Sequence, residues 1–210
     1  MAGFLEALGG LFSQKGFRCV YCGRDVPSGS VCGACNAQEE RLRNKKGFRG
    51  NLLYVYDYDG IVRKLIHNFK YNDMPYVGAY MAAQMVACLQ ENRVDFDLIT
   101  FVPVHENRLR WRGFDQAEML ASYLSAQSGV PYKKLLCRAR DTEPQFDLGR
   151  EERKVNVKGA FCAAGPLQLA GEKVLLLDDV CTTGSTLREC ASVLEKAGAV
   201  VIPFTFAREN

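Results

Sequence analysis

The strongest hydrophobic signal in the chain is the unbroken run Val174-Leu175-Leu176-Leu177, bounded by Gly171-Glu172-Lys173 before it and Asp178-Asp179 after it. A short run with no polar alternation reads as a strand covered on both faces of a parallel sheet. Leu187, Cys190, Val193, Leu194 and Ala197 then recur at helical spacing, and Gly198 stands where that helix would stop. The same rhythm continues upstream. Residues 52–56 and 98–102 read as strands, 61–69 as a short helix, 76–89 as a longer one, and 114–125 as a helix after a loop containing Pro103 and Gly113. Strands are expected near 134–140 and 160–163, and 200–206 supplies the last. Strands alternating with helices predict an α/β chain built as a doubly wound parallel sheet.

The unit strand, loop, helix around VLLLDDVCTTGST suggests chemistry of its own. Loop amides after a strand, together with the partial positive charge of a helix N-terminus, form an anion cradle, so residues 182–186 can hold a phosphate. Gly184 permits close backbone approach, and Thr182, Thr183, Ser185 and Thr186 add hydroxyl donors. Asp178 and Asp179 would repel a phosphate but can accept hydrogen bonds from sugar hydroxyls beside it. A sugar phosphate suits both halves.

Composition narrows the class. The 210 residues are 48% hydrophobic and 24% charged, the pattern of an ordinary globular protein, and no apolar stretch is long enough to span a membrane. The first residues carry Glu6 where a secretory leader would be basic, which reads as a cytoplasmic protein. Phe4, Leu5, Leu8, Leu11 and Phe12 form a short apolar stripe that would pack on its own domain or, alternatively, touch a partner or the inner membrane peripherally. A net charge of +3 is too mild to imply nucleic acid, although residues 15–49 hold eight basic residues against three acidic ones.

Among nine cysteines, Cys88, Cys137, Cys162, Cys181 and Cys190 sit in apolar contexts and read as inert thiols. Cys19, Cys22, Cys32 and Cys35 differ, because two C-x-x-C pairs nine residues apart deliver four thiolates as two knuckles. That spacing favours structural Zn2+ in a small ribbon over a redox dithiol, for which one pair would suffice. Residues 1–48 are therefore read as an N-terminal segment with a zinc module, and 49–210 as the α/β domain.

Two other polar stretches matter. Residues 103–113, PVHENRLRWRG, leave a central strand and should open on the same sheet edge as Asp178; their three arginines suit a pyrophosphate, although alone they read equally as a solvated basic loop. Residues 142–156 are long, polar and mixed in charge, either a mobile lid or a surface excursion.

DDVCTTGST closely resembles the phosphoribosyl pyrophosphate signature of type I phosphoribosyltransferases, and the whole chain resembles the ComF family. The resemblance runs through the four-cysteine module, YDYDGIVRKLIHNFKY, PVHENRLRWRGFDQAEMLA, RARDTEPQFDLGREERKVNVKGAF and VLLLDDVCTTGSTL. One departure is Asp115, where the family usually carries Asn. The resemblance implies that Asp178 and Asp179 act at the ribose, the pair most directly tied to catalysis. It further implies that Val180, Cys181, Thr182, Thr183, Gly184, Ser185 and Thr186 line the 5-phosphate, and that Val104, His105, Arg108 and Arg112 approach the pyrophosphate with Mg2+. Transfer of a phosphoribosyl group to a nitrogen nucleophile would follow, with Lys70, Tyr71 or His67 candidates to reach it; His67 reads equally as an ordinary packed histidine. The family's tie to natural transformation implies other competence proteins as partners. It also supports an alternative, a non-catalytic component that binds single-stranded DNA through Phe17, Tyr21, Phe48 and nearby basic residues.

Overall fold

The computed structural model describes residues 17–44, 47–71, 75–112, 115–140 and 157–209. The expected N-terminal apolar stripe and the stretch 142–156 lie outside the described residues. The elements in chain order are α1 (Gly33–Leu42), β1 (Phe48–Arg49), β2 (Leu52–Asp57), α2 (Gly60–Tyr71), α3 (Pro75–Glu91), β3 (Leu98–Phe101) and α4 (Glu106–Arg112). They continue with α5 (Gln116–Ser128), β4 (Leu136–Arg138), β5 (Phe161–Ala163), β6 (Lys173–Cys181), α6 (Ser185–Lys196) and β7 (Val200–Arg208).

The main sheet has the order β1-β2-β7-β6-β3, with β2, β7, β6 and β3 parallel and β1 antiparallel at one edge. The expected doubly wound sheet is therefore present. Pleating divides its side chains between two cores. Leu175 and Leu177 of β6 join Leu65, Ile66 and Phe69 of α2, Met81 and Met85 of α3 and Leu120 and Leu124 of α5 on one face. Val174 and Leu176 join Leu187, Cys190 and Leu194 of α6 on the other, together with Leu136 and Phe161. The second core carries the pair β4–β5, whose opposed residues Cys137 and Cys162 form a disulfide. This corrects the reading of these two as inert thiols: a separation of 25 residues hides a pairing that only the strand register creates.

Two elements are longer or newer than the pattern predicts. Strand β6 runs four residues past its apolar run, because β7 pairs it as far as Cys181↔Arg208. Within the stretch read as a loop after β3, residues 106–112 form α4, which has too little apolar periodicity to announce itself.

Candidate functional site

At the carboxyl end of β6 the chain passes through Thr182 and Thr183 to Gly184, whose φ of +73° places it in the left-handed region as α6 begins. The Thr183 hydroxyl lies 2.8 Å from that of Ser185 and accepts the Ser185 amide at 3.3 Å, satisfying one of the donors a helix start leaves open. Arg188, one turn along α6, donates to the Ser185 hydroxyl at 3.3 Å. Asp178, Val180, Cys181, Thr182, Thr183, Gly184, Ser185, Thr186 and Leu187 line one recess here. Of the stretch 178–186 that the sequence singles out, all but Asp179 line it.

Asp179 is turned elsewhere. Neighbours on a strand point to opposite faces, so Asp178 follows Leu176 toward the α6 side while Asp179 follows Leu177 toward α2. There Asp179 meets Lys70, with Nζ and Oδ2 2.7 Å apart and both side chains largely shielded. The two carboxylates thus occupy different surroundings. Burial, reinforced by the charge of Asp179, pushes the Asp178 carboxyl up to about 8 even though Lys70 and the Asp179 amide, which donates to Asp178 Oδ1 at 2.9 Å, pull the other way. For Lys70, burial disfavours the ammonium, but Asp179 outweighs it and the net direction is upward.

Strand β3 pairs in parallel with β6, and the Val102 amide extends the pairing to the Leu177 carbonyl at 2.9 Å, so the segment after β3 leaves from the same sheet edge. Val104 and His105 are half-buried there, and His105 Nδ1 accepts the Asn107 amide at 3.3 Å. Arg108 and Arg112 stand one turn apart on α4; their side chains lie outside the described ones. Asp115 fixes this segment. Its Oδ1 accepts the amides of Ala117 and Glu118 at 3.0 and 3.2 Å as the cap of α5, while Oδ2 accepts the Val104 amide at 3.0 Å. An Asn could not offer acceptors on both atoms. Burial raises the Asp115 carboxyl against the opposing pull of those three amides.

Lys70 and Asp115 are the functional neighbours that sequence reasoning underused. Asp-Gln-Ala-Glu at 115–118 is a capping-box pattern ahead of a helix and was available as a signal. Nothing local announces that Lys70 meets Asp179. His67, for which an acceptor-reaching and a packed reading stand equal in the sequence, is exposed, which excludes the packed one.

Outside this recess, the Sγ atoms of Cys19, Cys22, Cys32 and Cys35 all lie within 4.8 Å of one another, with Cys22 and Cys32 3.8 Å apart. A tetrahedron of Zn–S bonds of about 2.3 Å has edges of about 3.8 Å, so the donor set fits zinc. Cys19 and Cys22 sit in a turn closed by Cys19 N to Arg24 O and Gly23 N to Cys19 O, each 2.8 Å, while Cys32 and Cys35 open α1. The sequence does not announce that helix, because α1 is polar nearly all round and carries no apolar stripe to read. Burial resists ionisation of Cys19, yet the amides of Cys32, Cys22 and Tyr21 lower it to about 7, which favours a thiolate ligand. Tyr21 packs edge-on against Tyr80 at 6.0 Å and is buried, so it is withdrawn from the proposed base-stacking set; Phe17 and Phe48 remain, at 50% and 41% exposure.

Among the described residues, no helix is long and apolar enough to cross a membrane. Residues 115–209 match the phosphoribosyl transferase domain family. Competence protein F of Haemophilus influenzae is 26% identical over 92% of this chain and 91% of its own length. DNA utilization protein YhgH of Escherichia coli is 31% identical over 72% of this chain and 68% of its own. Adenine phosphoribosyltransferase of Leishmania donovani superposes with a TM-score of 0.45 at 11% identity, covering 78% of this chain and 86% of that one. With the four-cysteine cluster near its N-terminus and the type I phosphoribosyltransferase fold in the remainder, the chain belongs to the family of competence protein F and DNA utilization protein YhgH.

Proposed function

We propose that the protein binds phosphoribosyl pyrophosphate at the carboxyl edge of the sheet and acts in the uptake or use of DNA. The observation that carries the first part is the single recess holding Asp178 together with the 182–186 loop at the start of α6. The loop amides and hydroxyls suit the 5-phosphate, and the carboxylates at the end of β6 suit ribose hydroxyls. Val104 and His105 leave from the same edge, and the reading gives them, with Arg108 and Arg112, to the pyrophosphate. Mg2+ bound with this ligand would neutralise charge on the pyrophosphate as it departs, and carboxylate oxygens such as those of Asp178 are suitable hard ligands for it. The chain's own part is to orient the ribose and hold the diphosphate in place. The second part rests on the names of the relatives. The reading includes phosphoribosyl transfer to a nitrogen nucleophile, a structural zinc at the four cysteines, a division near residue 48 and other competence proteins as partners.

Calorimetric titration of phosphoribosyl pyrophosphate with Mg2+ tests the binding. The wild type should bind, and Asp178→Asn should weaken binding about tenfold, the order expected for one lost hydrogen bond. No binding by the wild type would overturn the reading.

A second reading, a single-stranded DNA surface on the N-terminal module, is favoured by the exposed rings of Phe17 and Phe48, each next to an arginine in sequence. Affinity for DNA that falls steeply with salt would support it.

A further inference from the structure

Lys70, read from sequence only as a candidate to reach the acceptor, is a cation in direct contact with the DD pair. It stands in the last turn of α2, beside the fully packed Phe69, and its ammonium reaches across the sheet edge to Asp179 Oδ2 at 2.7 Å. The acid environment is strong. Asp178 adjoins the pair in sequence, and the buried Asp115 adds to the local negative charge. A ligand carrying a pyrophosphate would meet the Asp179 carboxylate, which repels it, and an ammonium already paired to that carboxylate. The pair is not sealed, however: about a quarter of the Lys70 side chain and a tenth of that of Asp179 remain accessible. A lysine is a compact charge on a flexible stem, able to change partner by rotating its own torsions. A diphosphate offers it more charge than one carboxylate does, and the released Asp179 can then accept a hydrogen bond from a hydroxyl.

We propose that Lys70 is a partner-exchanging residue: in the ligand-free protein it neutralises Asp179, and on ligand entry it moves to the pyrophosphate and frees Asp179 for the ribose. The proposal rests on the phosphoribosyl pyrophosphate reading above. It predicts a split between two ligands that differ only in the pyrophosphate. In Lys70→Met, affinity for phosphoribosyl pyrophosphate with Mg2+ should fall about tenfold or more, as for loss of a charge-assisted hydrogen bond. Affinity for ribose 5-phosphate should stay level or rise, because Asp179 no longer has to be prised from its partner. Lys70→Arg should restore much of the pyrophosphate affinity, and unchanged circular dichroism would establish that both variants fold. Equal weakening toward both ligands, or no change toward either, would overturn the exchange while leaving the binding reading intact. A wild type that binds neither ligand would remove both.

Discussion

Asp178 is held in a place that favours its neutral form. Its unfolded value near 3.8 is raised to about 8 by burial and by Asp179. The sign follows from linkage: a carboxyl with a raised folded value stabilises the fold fully below pH about 4, and that contribution is lost as pH rises through about 8. Asparagine keeps the neutral state at every pH. Asp178→Asn should therefore be more stable than the wild type at pH 8, by roughly 1–3 kcal/mol, with the difference vanishing near pH 4. Urea unfolding at the two pH values checks this, and equal stability at both would mean the carboxyl is ordinarily hydrated. Together with the weaker ligand binding expected of the same variant, it would make Asp178 a residue that trades stability for function. The individual residues of this site were unevenly legible. The hydroxyl loop could be read because it follows an apolar run, and the four cysteines because their spacing is metal-like. The different fates of Asp178 and Asp179 could not, since they depend on which helix covers each face.

At the scale of elements, the face that carries Lys70 is set by how closely three helices meet. Gly78 of α3 lies where an added Cβ would come within 2.9 Å of the Phe69 ring of α2 and 3.1 Å of the Tyr123 ring of α5. The glycine is there for clearance, not for an unusual backbone angle. Gly78→Ala should cost about 1–3 kcal/mol through overpacking, seen as a lower midpoint in thermal unfolding; an unchanged midpoint would mean the rings shift freely. Element boundaries show why sequence reading stops short. The apolar runs located β2, β3, β6 and β7 and the helices flanking them, because burial writes itself into periodicity. Strand β6 outran its apolar run because pairing with β7, not hydrophobicity, sustains its last four residues. Helices α1 and α4 went unseen because polar helices carry no stripe.

For the whole molecule, the four-cysteine end and the sheet are not independent bodies of packing. Cys19, Val20, Tyr21, Val26 and Cys35 belong to the same buried cluster as Leu53, Tyr56, Met81 and Phe206. A polar bond set reinforces the junction: the buried Glu39 of α1 accepts the hydroxyls of Tyr56, from β2, and of Tyr80, from α3, the latter at 2.6 Å. Burial, followed by the Glu39 carboxylate, pushes the Tyr56 hydroxyl well above the usual phenol range, so it stays a donor. Losing the zinc proposed for the four cysteines should therefore loosen more than the knuckles. A Cys19→Ser, Cys35→Ser variant should lack zinc by elemental analysis and unfold at lower denaturant in a single transition that includes the sheet. Retained stoichiometric zinc would refute the four-thiolate site, and a separate early transition would show that the module melts alone.

The paired strands β4 and β5 have one more consequence. They bring Cys137 and Cys162 to a Cα separation of 5.4 Å, so the chain between them begins and ends at nearly the same point. Once the ends of such a segment are pinned together, doubling its length adds only about 0.6 kcal/mol of closure entropy. The clasp thus fixes where that segment leaves and rejoins the fold, and Val157, Ala160 and Phe161 at its return carry the fixed point into the core beneath α6.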